Sequence, residues 1–193
     1  MQNANKTRGT GLLAQAGVVA NWGGSSLIKS VQRLSVGTVD VTITAVDTAS
    51  TVIVWGGVNG TYSGGASGNE VNKRVTLLNS TTVRPTNTVT SGTVTAIVVV
   101  IEFVPGVIKS VQYGATTITA PSQTGTSSIT AVNINKAMLL FLGTQSDCGS
   151  GAALAYGFAN LAINSSGDTV TATQGAGAAP GNTYTGFCMV EFF

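Results

Sequence analysis

Leu27-Ile28-Lys29-Ser30-Val31-Gln32 returns later in the chain as Val107-Ile108-Lys109-Ser110-Val111-Gln112, and this return decides the reading of the fold. Outward from it, other words recur in the same order. ITAVDTASTVIVWGG at 43–57 lines up with ITAVNINKAMLLFLG at 129–143, and LLNSTTV at 77–83 with AINSSGDTV at 162–170. VIEF at 100–103 answers MVEF at 189–192. The offsets are 80, 86, 85 and 89 residues, and the drift falls in Gly-, Ser- and Thr-rich stretches that read as loops. Several words in one order at one spacing mark an internal duplication.

The duplication divides the chain into three parts. Residues 1–26 form an arm or linker rich in Gly, Ala and Asn, read as extended. Residues 27–104 are the first copy and residues 105–193 the second, entered through the turn dipeptide Pro105-Gly106. Each copy has the size of a small domain.

Within a copy the periodicity is that of short strands. Val39 to Val46 alternates, which puts Val39, Val41, Ile43 and Ala45 on one face and Asp40, Thr42 and Thr44 on the other. Thr51 to Trp55 and its counterpart Met138 to Leu142 read as more buried strands. Lys73 to Leu78 alternates again. Thr93 to Phe103 begins by alternating and becomes fully apolar, as a central strand does. Asn59-Gly60, Gly64-Gly65 and Gly167-Asp168 read as turns. Five or six strands per copy predict an all-β protein of two tandem, duplicated β-sandwich or jelly-roll-like domains, preceded by the N-terminal arm.

Composition narrows the chemistry. The 193 residues include nine Lys or Arg, seven Asp or Glu and no histidine. Without histidine there is no Ser-His-Asp triad, no Cys-His pair and no imidazole metal ligand. Glu occurs three times against 28 Thr, 24 Val and 25 Gly, a balance that argues against helical bundles and for strands. Only 8 % of the residues are charged, where an average domain has about a quarter. A surface so short of charge is made of Thr, Ser, Asn and Gly, or lies against other subunits. The net charge of +2 is unevenly placed. Residues 1–33 carry +4, while residues 34–103 and 104–193 carry −1 each.

The candidate sites are few. Glu102 and Glu191 are a conceivable carboxylate pair for glycoside hydrolysis. Their matching places in the two copies explain them better as fold-forming residues, and Lys29–Glu102 and Lys109–Glu191 ion pairs are the simplest arrangement. The runs Gly149-Ser150-Gly151 and Gly175-Ala176-Gly177 lack the helix and lysine of a phosphate loop. Asp147 and Asp168 lack calcium-loop spacing, so no metal or cofactor is expected. Cys148 and Cys188 are expected as free thiols. The Asn-X-Ser/Thr sequons at Asn5, Asn59, Asn79 and Asn164 arise readily in so Thr-rich a chain. No signal peptide or membrane-spanning run is visible, and the basic charge is too sparse to predict nucleic-acid binding. Lys6, Arg8, Trp22, Lys29 and Arg33 are the candidate interaction residues, with the arm docking on a neighbouring, more acidic protein surface and Trp22 either its anchor or packed on the chain's own first domain.

The opening Ile28 to Arg33, its partial return at Ile108 to Gln112 with Tyr113-Gly114 following, ITAVD and ITAVN, and the strand ending in Gly together resemble small structural proteins of tailed bacteriophages. Those proteins often carry an opening like IKSIQRG, where this chain has Leu34 after Arg33. The resemblance covers both copies but not the arm. It implies a non-enzymatic virion component, assembled in the host cytoplasm. Most simply that is a capsid decoration or head-associated protein, bound to major capsid or tail subunits and forming a homo-oligomer, with a trimer favoured. The alternative is a tail or head fibre that binds a receptor or glycan, using Tyr62, Tyr156 and Tyr184.

Overall fold

A computed structural model describes residues 26–61, 73–86, 93–147, 158–175 and 181–193. The fold is all-β, with twelve strands among the described residues. They are β1 (Ile28–Val36), β2 (Val41–Thr42), β3 (Thr51–Thr61), β4 (Arg74–Asn79), β5 (Thr82–Thr86), β6 (Thr93–Phe103), β7 (Ile108–Ile118), β8 (Thr124–Ser128), β9 (Ala137–Ser146), β10 (Ala159–Ile163), β11 (Thr169–Gln174) and β12 (Thr183–Phe192). Short 3-10 turns at Thr48–Ser50 and Ile134–Lys136 precede β3 and β9.

The duplication in the words is a duplication in topology. The first copy forms a long sheet ordered β1-β6-β3 and a short one ordered β2-β5-β4. The second forms a long sheet ordered β7-β12-β9 and a short one ordered β10-β11-β8. Adding six to each strand number converts the first pair of sheets into the second. All pairings are antiparallel. Thr93–Phe103 is the central strand of its sheet, as its change from alternating to continuous apolar character predicts. Pro105 and Gly106 make the turn between the copies, with Gly106 at φ +86°.

Matching irregularities occur in both long sheets. One is a bulge in the middle of β3 and its twin in β9, where Gly57 has φ +118° and Gly143 φ +89°. Left-handed backbone of that kind is cheap only for glycine. The other is a slip between Ile28 and Ser30 in β1, repeated where Phe192 pairs with Ile108 and Glu191 with Ser110. The residues in the slips are Lys29 and Lys109.

Two local expectations need correction. Val39 is 71 % exposed and Ala45 is exposed, so they do not share an inward face with Val41 and Ile43. Only Val41–Thr42 is ladder-paired. Beyond it the chain bends, and Ile43 and Val46 become the buried residues, their N–H groups donating to the Thr81 and Ser80 carbonyls. Hydrogen bonding to a turn rather than to a strand breaks the period of two. Asn59-Gly60 lies inside β3 and not in a turn, because β3 continues past its bulge alongside β6. Residues 1–25 of the arm, Gly64-Gly65 and Cys148 lie outside the described residues.

The two copies share a core. One apolar cluster joins Val36, Ile53, Val98 and Val100 of the first long sheet to Val75 and Val83 of the first short sheet. It continues into the second copy through Leu142, Cys188 and Val190. A second cluster, around Phe187, Met189, Val132 and Val170, fills the space between the second long and short sheets. Successive residues of β12 therefore serve different cores, Cys188 and Val190 on one face and Phe187 and Met189 on the other, which is the period of two of a strand buried on both sides.

Candidate functional site

The repeated words meet in space as a clasp at the same place in each copy. In the first, Glu102 on β6 is 2 % exposed. Its Oε1 accepts from Lys29 Nζ at 2.8 Å and from the Asp47 N–H at 2.9 Å, and its Oε2 accepts from Ser30 Oγ at 3.1 Å. In the second, Glu191 on β12 accepts from Lys109 Nζ at 2.9 Å, the Asn133 N–H at 3.0 Å and Ser110 Oγ at 3.5 Å. The bulge makes this possible. In a regular strand Lys29 and Ser30 would face opposite sides, and the slip lets both reach one carboxylate.

The next members of the words extend the clasp. Gln32 donates through Nε2 to the Thr44 carbonyl at 2.9 Å and accepts the Thr44 N–H at 2.8 Å. Gln112 treats Thr130 in the same way, at 2.8 and 2.7 Å. Asp47 and Asn133 then cap the two 3-10 turns, accepting from the Ala49 and Asn135 N–H groups at 3.0 and 3.1 Å. Thus IKSVQ, ITAV with its Asp or Asn, and the Glu of VIEF and VEF are the parts of one hydrogen-bonded unit that fixes the connection between β1 and β3, or β7 and β9.

The clasps hold both carboxyls as anions. Burial alone would raise the pKa of Glu102, but Lys29, the Asp47 N–H and Ser30 outweigh it and hold the carboxyl below its ordinary 4.5. Lys109 and the Asn133 N–H hold Glu191 below the same value. Both carboxylates stay ionised with their oxygens engaged, as a buried anion requires.

A second arrangement joins the copies. Edge strand β3 lies across the outer face of the second long sheet and meets its three strands in turn. The Tyr113 phenol of β7 donates to the Thr51 carbonyl at 3.0 Å. The backbone of Ile53 lies beside the Cys188 thiol of β12. Trp55 packs edge to face on Phe141 of β9, ring centroids 5.1 Å apart. Edge strand β4 crosses the same face, and the Arg74 stem passes over Gly186, where a Cβ would stand 2.6 Å from Arg74 Cγ. The second long sheet thereby closes the β3–β4 side of the first copy. Burial pushes the Cys188 thiol up to about 12 and raises the Tyr113 phenol as well.

Of the expected interaction residues, Lys29 is placed in the first clasp, its side chain still half exposed. Arg33 is exposed on the outer face of the first long sheet, in register with Val99. Lys6, Arg8 and Trp22 lie outside the described residues, as do Tyr62 and Tyr156. Tyr184 donates to Asp147 Oδ2 at 3.0 Å. Cys188 is a buried free thiol. Among the described residues no group of three or more His, Cys, Asp or Glu side chains is placed to hold a metal ion.

Sequence reading did not single out Gln32, Gln112 or Tyr113. The glutamines stand in the repeated word itself, which was a usable signal. Tyr113 stands where Arg33 stands in the first copy, and that difference marks the face turned toward the other repeat. Lys73 was missed too. It is fully buried, donating to the Gly37 carbonyl at 2.6 Å and to the Val94 carbonyl. Comparison with protein-family models, curated proteins and solved structures finds no match to the chain.

Proposed function

We propose that this chain is a non-enzymatic structural subunit of a tailed-bacteriophage particle, a capsid decoration or head-associated protein that binds neighbouring virion subunits and stabilises the shell. Each copy serves as a β-sandwich-like unit, and the arm carrying Lys6, Arg8 and Trp22 is the attachment to a capsid or tail subunit. The observation that carries this reading is the clasp. The words that carry the resemblance are the contacting parts of one unit, built twice. The charge-poor composition supports it, since a surface of Thr, Ser and Gly suits a protein packed among other subunits.

The test is to purify intact particles and probe them for the chain by mass spectrometry and by immunogold labelling. The reading expects a fixed copy number on the head, and loss of the chain from particles when residues 1–25 are deleted. Absence from purified particles overturns it. Labelling confined to fibre tips would favour the receptor-binding alternative.

A further inference from the structure

The junction between the two copies has two halves, and each half has a twin elsewhere on the chain. One half is the outer face of the second long sheet, where Tyr113, Cys188 and Leu140 lie in register across β7, β12 and β9. Its twin is the outer face of the first long sheet, where Arg33, Val99 and Val54 lie in register across β1, β6 and β3. Ile97 adjoins that row and is 39 % exposed. Val31, Val54 and Val99 are half-buried and belong to neither core cluster.

The other half is the β3–β4 side of the first copy, which the second long sheet covers. Its twin is the β9–β10 side of the second copy. Thr48, Val52 and Lys73 in the first copy correspond to Ile134, Met138 and Phe158 in the second. In the first copy the covered side buries Val52 and Lys73, and the 3-10 turn that begins at Thr48 packs on β7. In the second copy the corresponding side chains are apolar and open, with Met138 41 % and Phe158 49 % exposed. So the chain presents an apolar sheet face at one end and an apolar strand edge at the other. The same two surface types already fit each other at its middle.

We infer that copies of this chain associate head to tail, the outer face of the first long sheet of one copy capping the β9–β10 side of the next. The partner is a second copy because the fit is one the chain already makes with itself. Such a contact is heterologous, so it closes into a ring or runs on as a filament according to the rotation at each step. Arg33 stands in place of Tyr113 on one half of this contact, while Ile134 and Phe158 stand in place of Thr48 and Lys73 on the other. The inference rests on the proposed function only for its setting, an assembly, and it fails separately, since incorporation is read on purified particles and this contact on the purified chain.

The experiment is sedimentation velocity on the full chain over a range of concentrations, with Ile97→Asp and Phe158→Asp as variants, each checked for folding by circular dichroism. Val99→Lys and Met138→Lys replace either variant that does not fold. The expected result is association of the wild-type chain and a monomer for each variant. An equimolar mixture of the two variants then gives a heterodimer and nothing larger, because it restores one intact junction. A wild-type chain that is monomeric at every concentration overturns the inference. So does a Phe158→Asp chain that still associates, or a variant mixture that stays monomeric.

Discussion

Tyr113 of the second repeat donates its phenolic hydrogen to the Thr51 carbonyl of the first, at 3.0 Å. The contact falls where edge strand β3 begins its passage across the second long sheet, so it bonds a backbone group that has no further strand beside it. Tyr113→Phe keeps the ring packing and leaves that buried carbonyl unpaired. The expected loss is about 1–2 kcal/mol of unfolding free energy, read from a lower urea midpoint with the m-value unchanged. An unchanged midpoint would mean that the repeats are held by packing alone.

The two bulge glycines share a left-handed backbone but not their surroundings. A Cβ on Gly57 would meet nothing within 4 Å, whereas one on Gly143 would stand 2.0 Å from the Lys73 carbonyl oxygen. Gly57→Ala therefore carries only conformational strain, about 1–2 kcal/mol. Gly143→Ala carries the same strain and also forces β9 away from β4, so it should lower the thermal midpoint distinctly more. Equal losses would show that the two repeats do not press together at this point.

The clasps make an acid-sensitive prediction. Glu102 and Glu191 are both held below the ordinary 4.5, so the unfolded chain takes up protons before the folded one as pH falls. The stability they contribute is present above about pH 4.5 and is lost as pH falls through the lower folded-state values. In Glu102→Gln/Glu191→Gln this slope should flatten between pH 5 and 3, with lower stability than wild type at pH 7. Unfolding midpoints measured across that range decide it. An equally steep acid transition in the double variant would place the sensitivity elsewhere.

Much of this was legible because repetition marks what the fold needs. Two lysines and two glutamates at matching places, in a chain so short of charge, pointed to the ion pairs that form. The strand β6 announced its central position by losing its alternation. The bend after Thr42 was not legible, because a strand and a segment bonded to a neighbouring turn share an alternating pattern for several residues. Nor was the junction between the copies. Periodicity tells which residues share a face, but not that Cys188 and Val190 face another repeat while Phe187 and Met189 face their own. The substitution of Tyr113 for arginine was the one local trace of it. Lys73 stayed hidden because nothing in a strand pattern marks a lysine that turns inward onto carbonyls.

The buried Cys188 thiol gives a chemical readout of the same junction. With the Ile53 backbone and Tyr113 against it and its pKa pushed up to about 12, it is neither accessible nor ionised at neutral pH. Iodoacetamide at pH 8 should leave it unmodified in the folded chain and alkylate it fully in denaturant, with peptide mass spectrometry separating it from Cys148. In Tyr113→Phe the labelling rate under native conditions should rise. Rapid native labelling of the wild-type thiol would show that the repeats part readily.

Lys73 supplies a test at the other end of the pH scale. Burial lowers its pKa below the ordinary 10.5, and its amine donates to the carbonyls of Gly37 and Val94. The folded chain therefore releases this proton before the unfolded chain does. As pH rises through the folded-state value toward 10.5, the unfolded state holds more protons and the contribution of Lys73 to stability increases. Lys73→Met removes both the proton and the two hydrogen bonds. The difference in stability between wild type and Lys73→Met should accordingly widen with rising pH in that window. Subtracting the two curves cancels the opposing effects of Tyr113 and Cys188, whose raised values make the folded chain lose stability in the same alkaline range. A difference that stays flat from pH 8 to 10.5 would show that the Lys73 amine reaches water and titrates as an ordinary surface lysine.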